Sequence, residues 1–232
     1  MAYIPIFLDV GARPCLVIGG GEVAARKVAP LLEAGAEVTI VSPALVDELA
    51  ELARGRRIKH LAREYLPGDM TGMMLVYAAT DDADLHQRLQ AEARERGIPI
   101  NVADRPDLCG FIAPAIVTRG SLKIAVSTEG ASPAMAKRIV ARLERLYGAE
   151  YGLTLEVMRA ARQHLKAVEP DIKVRARKLA SLARSRIPEY LRNNNPDAVE
   201  EILHRRLGVG LETLGLSRIR TATDIEDAPI VR

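Results

Sequence analysis

Apolar residues in this chain come first in short blocks and later at helical spacing. Cys15–Ile18 is an apolar run of four residues, followed by three glycines. Val23, Val28, Leu31 and Leu32 then recur near i, i+4/5 and i+8/9, one stripe with Arg26, Lys27 and Glu33 off it. Gly35 suits a C′ cap. The pattern predicts strand, tight turn, helix. Val38–Val41 reads as a second buried strand closed by Ser42-Pro43, and Ala44–Arg54 as a helix with Leu45, Val46, Leu49 and Leu52 inward. Ile58–Leu61 is a short third strand, and Tyr65–Gly72, holding Pro67-Gly68, is a loop. Met73–Ala79 is a fully apolar fourth strand that runs into Thr80-Asp81-Asp82, an N-cap site for the helix of Leu85, Leu89 and Ala93. Gly97 ends that helix, and Ile98–Val102 is a fifth strand. Strand and helix in alternation with short loops predict a parallel sheet with right-handed crossovers.

The rhythm then changes. Phe111–Thr118 and Ser121–Ser127 are β-rich runs joined at Arg119-Gly120, a hairpin signal. Ser132 before Pro133 marks a helix start, and Ile139, Leu143, Leu146 and Tyr147 supply that helix's stripe. Only helical patterns follow, over Leu153–Val168, Ile172–Arg184 and Ala198–Leu207. They are broken at Glu169-Pro170, Ile187-Pro188 and Asn193–Pro196, and Ser217–Arg232 reads as a loosely ordered tail. A hairpin and short helices of this size bury too little apolar surface alone. A second copy in a two-fold homodimer would supply it, with the hairpin or the Pro133–Tyr147 helix at its centre.

Composition narrows the chemistry. Aromatic residues make up 3% with no Trp, too few for a base-stacking platform on single-stranded nucleic acid. Cys15 and Cys109 have neither metal-type spacing nor a disulfide framework, which favours a reducing compartment, the cytoplasm. No basic n-region with an apolar core opens the chain, and no run of about 18 apolar residues occurs, so neither signal peptide nor membrane span is expected. Net charge is +3 but uneven: residues 1–131 carry 14 Lys/Arg against 17 Asp/Glu, and residues 132–220 carry 18 against 10. The basic second half is either a solvated helical surface or a surface for an anionic partner.

The chemistry centres on Gly19-Gly20-Gly21-Glu22-Val23-Ala24, a G-x-G-x-x-A pattern between strand and helix. Gly19 permits the sharp turn, Gly21 carries no Cβ to hold a pyrophosphate off the backbone, and Ala24 lets helix and strand pack closely. The helix N-terminus, beginning at Glu22 and Val23, offers unpaired N–H groups to phosphates. The alternative is a glycine-rich βα turn with no ligand. Ligands of such sheets lie beyond the carboxyl ends of the strands. Those ends are Gly19–Gly21, Ser42–Ala44, Ala79–Asp81 and Asn101–Asp104, and the candidate cofactor-binding positions are Gly19, Gly21, Glu22, Val23, Ser42, Pro43, Ala44, Thr80, Asp81 and Asn101. The acid that grips the ribose in NAD sites is missing after the second strand, and no Arg stands there for a 2′-phosphate, which leans toward NAD. The reading is an α/β protein: a Rossmann-type domain over 1–113, a hairpin-plus-helix dimerisation region over 114–148, a small all-helical domain over 149–216 and a tail over 217–232. Asp104 lies just past the fifth strand, either as a proton acceptor or as the cap of its own turn.

Several stretches together resemble the precorrin-2 dehydrogenase / siroheme synthase N-terminal-domain family. They are Pro5-Ile6-Phe7, GGGEVAARK at Gly19–Lys27, AATDD at Ala78–Asp82, Asn101-Val102-Ala103-Asp104 with Phe111-Ile112-Ala113-Pro114, and AVSTEGASPAMAKRI at Ala125–Ile139. The resemblance covers about residues 3–147 and is to the stand-alone form, without a methyltransferase domain. It implies NAD-dependent oxidation of precorrin-2 to sirohydrochlorin, in some members with ferrous-iron insertion at the same site. It also implies that Asp104 is the catalytic base. The substrate is a polycarboxylate, for which the Thr128–Gly130–Ser132 turn, Lys137 and Arg138 are candidate contacts. Surface or structural roles are expected for His60, His86, His164 and His204, and no residue is assigned to a metal. The competing reading is an NAD-sensing regulatory module without turnover, whose basic helices report to a partner. A chelatase with a vestigial glycine turn is the third, and the intact G-x-G-x-x-A argues against it.

Overall fold

The computed structural model describes residues 3–216. They form two compact units, one reaching to Ala113 and one starting at Pro114. The tail expected over 217–232 lies outside the described residues.

In the first unit, β1 (Pro14–Ile18), β2 (Glu37–Val41), β3 (Lys59–Leu61), β4 (Leu75–Ala78) and β5 (Ile100–Val102) make a parallel sheet in the order β3-β2-β1-β4-β5. The chain moves outward from β1 on one side and resumes at β4 on the other, so the switch point lies between β1 and β4, where such sheets bind ligands. β1 is almost wholly buried, with Leu16, Val17 and Ile18 at 2% exposure or less, as a central strand covered on both faces must be. Helix α1 (Glu22–Glu33) packs Ala24, Ala25, Val28 and Leu31 inward; Val23 and Leu32 of the expected stripe are only half-buried. It passes through Pro30, which has no N–H for the Arg26 carbonyl, and ends before Gly35 at φ +76°.

Helix α2 (Asp47–Arg54) starts three residues later than its pattern suggests. The intervening backbone is engaged elsewhere: Val46 N donates to Gly20 O at 2.8 Å, and Ser42 Oγ donates to Ala44 O at 2.7 Å. Helix α3 (Ala83–Arg96) is capped by Asp82, which accepts from Leu85 N, and stops at Gly97 in the left-handed region. The fourth and fifth strands are shorter than their apolar runs.

The second unit begins with β6 (Ala115–Arg119) and β7 (Leu122–Val126), an antiparallel hairpin. Helix α4 (Pro133–Leu146) lies against both strands; Ser132 caps it by accepting from Met135 N, with Pro133 at the first position. Helices α5 (Ala149–Val168), α6 (Ile172–Ala183), α7 (Ile187–Arg192) and α8 (Pro196–Leu207) then enclose Leu153, Val157, Ala161, Leu182, Leu191 and Leu203. The expected break at Ile187-Pro188 is instead the first turn of α7, where a missing N–H costs nothing.

Candidate functional site

The glycine turn is built by close contacts. At Gly19, φ is +115° and an added Cβ would lie 2.1 Å from Ala79 O. At Gly20 it would lie 2.0 Å from Ala44 O and 2.7 Å from Ser42 Oγ. Gly21 faces open space and is the N-cap of α1 with no side chain capping it. The first N–H groups of α1 are thus left for a ligand, and backbone can approach it closely. These residues fit a bound dinucleotide.

A cavity of about 240 Å³ opens beside this turn, lined by Val23, Ala79, Thr80, Asp81, Ala83, His86, Ala103, Asp104 and Arg105. It unites candidates from three strand ends: Val23 of the glycine turn, Thr80 and Asp81 after β4, and Asp104 after β5. Glu22 is exposed in the first turn of α1. Pro43 and Ala44 are exposed on the loop beneath Gly20, whereas the Ser42 hydroxyl is spent on Ala44 O and the Ser42 carbonyl is bonded to His60 Nε2 at 2.9 Å. Asn101 turns away from a ligand role: it is buried, and its amide donates to Phe111 O at 3.0 Å.

Asp104 is exposed and adopts φ +56°, a left-handed conformation that Asp tolerates better than most residues. Its turn is held from both sides. Ala103 N donates to Ala78 O at 2.9 Å, and Arg105 N to Val102 O at 3.3 Å. Cys109 Sγ accepts from Val102 N at 3.2 Å and lies 3.3 Å from both Val102 O and Arg105 O. Arg105 is engaged twice by Asp107, at 3.0 and 2.8 Å, which keeps that guanidinium off the Asp104 carboxylate. Burial raises the Cys109 thiol above its ordinary value, against the pull of the Val102 hydrogen bond and of Lys27, so the sulfur stays protonated at neutral pH.

Lys27, Tyr77 and His86 were not read as site residues. Lys27, one turn after Val23, sits with Nζ 5.3 Å from the centroid of the Tyr77 ring. Burial lowers its pKa, helped by Arg26 and opposed by Cys109 and Asp104. Its i+4 spacing from Val23 was the available signal. Tyr77 meets Phe111 edge-on at 5.3 Å, and burial pushes its hydroxyl up to about 12. His86 is 5% exposed and donates from Nε2 to Thr80 O at 2.8 Å. Its place one turn into α3 was legible, but its partner was not.

The remaining candidates lie on the second unit. Thr128 Oγ1 accepts from Ser132 N at 3.2 Å and donates to Ser132 O at 3.1 Å, while Ser132 Oγ caps α4. Both hydroxyls therefore shape the turn, with Gly130 at φ +84°. Lys137 and Arg138 are exposed on α4. Part of the basic excess gathers in a hollow of about 510 Å³ lined by Val174, Arg177, Lys178, Ser181, Arg205 and Arg206. Among the described residues no cluster of three His, Cys, Asp or Glu side chains could hold a metal ion, and no helix is long and apolar enough to cross a membrane.

Comparison with known proteins agrees with this geometry. Residues 6–115 match the family described as putative NAD(P)-binding, and residues 119–146 match the sirohaem biosynthesis protein central family. A siroheme synthase of Thioalkalivibrio sulfidiphilus is 41% identical over 213 residues, which is 92% of this chain and 44% of that protein. One of Methylobacillus flagellatus is 49% identical over 152 residues, 66% of this chain and 32% of its own length. The chain thus spans less than half the length of these curated relatives. In fold it is similar to SirC, a precorrin-2 dehydrogenase, with a TM-score of 0.70 and 24% identity over 86% of this chain and 98% of the other. The glycine turn, the Asn101–Asp104 segment and the turn entering α4 all fall inside these matches, and over the span they share this chain is similar to siroheme synthases.

Proposed function

We propose that this protein oxidises precorrin-2 to sirohydrochlorin with NAD as hydride acceptor, with Asp104 as the base. The observation that carries the reading is the single cavity joining the α1 N-terminus to an aspartate held in a left-handed turn. NAD held here would supply the hydride acceptor, and the oxidation also requires one proton to leave the macrocycle. The chain does the rest. Gly19–Gly21 and the free amides of α1 take the diphosphate, and Thr80 and Asp81 wall the inner half. The Asp104 carboxylate, unclaimed by Arg105, accepts the proton. The absence of an arginine after β2 supports NAD over NADP. Thr128–Ser132 with Lys137 and Arg138 are the proposed carboxylate contacts, through the Gly130 backbone and the two cations rather than the committed hydroxyls.

The region 114–148 is the proposed dimerisation element. On α4, Met135, Ile139 and Leu146 are 47%, 37% and 53% exposed, and Ile116 of β6 is 47% exposed, an apolar face that a second copy would cover. The two free thiols suit a reducing compartment, in support of the cytoplasm. Asp104 gives the site a chemical task that a sensing module without turnover would not need.

The test is anaerobic conversion of freshly made precorrin-2 with NAD, followed by absorbance. Asp104→Asn keeps a residue that accepts a positive φ but cannot take the proton, so turnover should fall about 100- to 10,000-fold with NAD binding intact. A wild-type protein that binds NAD and forms no sirohydrochlorin overturns the reading. Ferrous iron added to the product separates dehydrogenation alone from dehydrogenation with metal insertion.

A further inference from the structure

His86 is the one nearly buried titratable side chain on the cavity wall, and the reaction leaves it without a task. It stands on α3, one turn above the N-cap Asp82, and reaches back to the end of β4. A carbonyl can only accept, so the 2.8 Å bond to Thr80 O fixes the proton on Nε2. In the neutral ring Nδ1 is then an acceptor. Among the described residues Nδ1 has no partner, yet no fully buried side-chain nitrogen or oxygen there lacks one, so Nδ1 is not sealed in the core. The Thr80 hydroxyl is 3.5 Å from the same Nε2 and accepts from Asp82 N at 3.2 Å. Its own proton remains unclaimed. Ala79, the preceding residue, is the one whose carbonyl abuts Gly19. One imidazole therefore fixes the strand end that presses on the glycine turn.

We propose that His86 is a positioning residue for the nicotinamide half of the dinucleotide: it locks Thr80 through Nε2 and offers Nδ1 as an acceptor to a carboxamide N–H in the cavity. The ligand chemistry it selects is a group carrying N–H donors, the carboxamide that ADP-ribose lacks. The proposal rests on the dinucleotide reading of the site and not on the identity of the oxidised substrate.

The experiment is calorimetric titration of the full chain with NAD and, separately, with ADP-ribose, which lacks the nicotinamide. His86→Leu should weaken NAD about tenfold or more while ADP-ribose stays within about twofold. His86→Gln, whose amide offers both a donor and an acceptor at similar reach, should restore most of the NAD affinity. Equal losses for both ligands would reduce His86 to a structural prop and overturn the proposal, as would an unchanged NAD affinity. Should His86→Leu not fold, His86→Asn decides: its amide is too short to span Thr80 and the cavity, so wild-type NAD affinity in that variant refutes the role. Binding is read here, not turnover, so the result stands whether or not the protein oxidises precorrin-2.

Discussion

At Gly20 a single methyl group decides whether the turn can exist. An added Cβ would sit inside the van der Waals radius of Ala44 O, a backbone atom held by the Ser42 hydroxyl. Gly20→Ala should destabilise the first unit by roughly 1–3 kcal/mol in urea unfolding and abolish NAD binding. Gly21→Ala meets no atom within 4 Å, so it should fold normally and lose affinity only for the dinucleotide. The G-x-G pattern pointed to positions 19 and 21 and passed over the middle glycine, because the obstructing carbonyl comes from a loop brought near only by folding. The same holds for Cys109, which had neither metal-type spacing nor a disulfide framework and proves to clasp the Asp104 turn on both sides. A second prediction concerns Cys15, fully buried in β1 with its thiol raised above 9.0 by burial. The folded state keeps a proton that the unfolded state releases. Its contribution is therefore complete below that value and is lost as pH rises through the folded pKa, at about 1.4 kcal/mol per pH unit. Chemical unfolding from pH 8 to 10 should show a steeper decline for the wild type than for Cys15→Ala.

Among the elements, α7 shows best what periodicity conceals. Its proline read as a stop because six residues are too few to display a stripe, yet Ile187 and Leu191 are both buried. α7 also delivers Arg192, which donates from Nη2 at 2.6 Å and Nε at 3.1 Å to Glu150, a carboxylate 4% exposed near the start of α5. Arg192→Leu would leave that carboxylate with only the Gly148 amide, at 3.3 Å. The helical unit should lose roughly 1.5–3 kcal/mol, measured as a lower thermal midpoint with NAD binding unchanged. Of the long elements, α1, α3 and α4 follow their expected bounds and caps, whereas α5 and α8 begin at Ala149 and Pro196, ahead of the expected Leu153 and Ala198. Strand ends were not, since an apolar run continues past the last ladder bond wherever the residues beyond it are still covered, as at Met73 and Ala79.

For the whole molecule, the apolar face of α4 sets the expected assembly. Ile139→Asp should convert a dimer to monomers in light scattering behind size exclusion, and a wild type that is monomeric at tens of micromolar removes the dimer from the account. The parallel sheet followed from strand–helix alternation, whereas the assembly can be argued only from what the folded surface leaves uncovered. The sheet itself offers little to another chain. Both of its borders, β3 and β5, are three residues long. Along β5, Ile100 O already accepts from Gly110 N at 2.7 Å, and Val102 N is taken by the Cys109 sulfur. The bonds that tie down the proposed base also close the border, so an incoming strand finds no ladder there to extend. Loosening the Val102–Cys109 clasp should then expose a site for edge-to-edge aggregation as well as weaken catalysis, which makes this short segment a guard against misassembly.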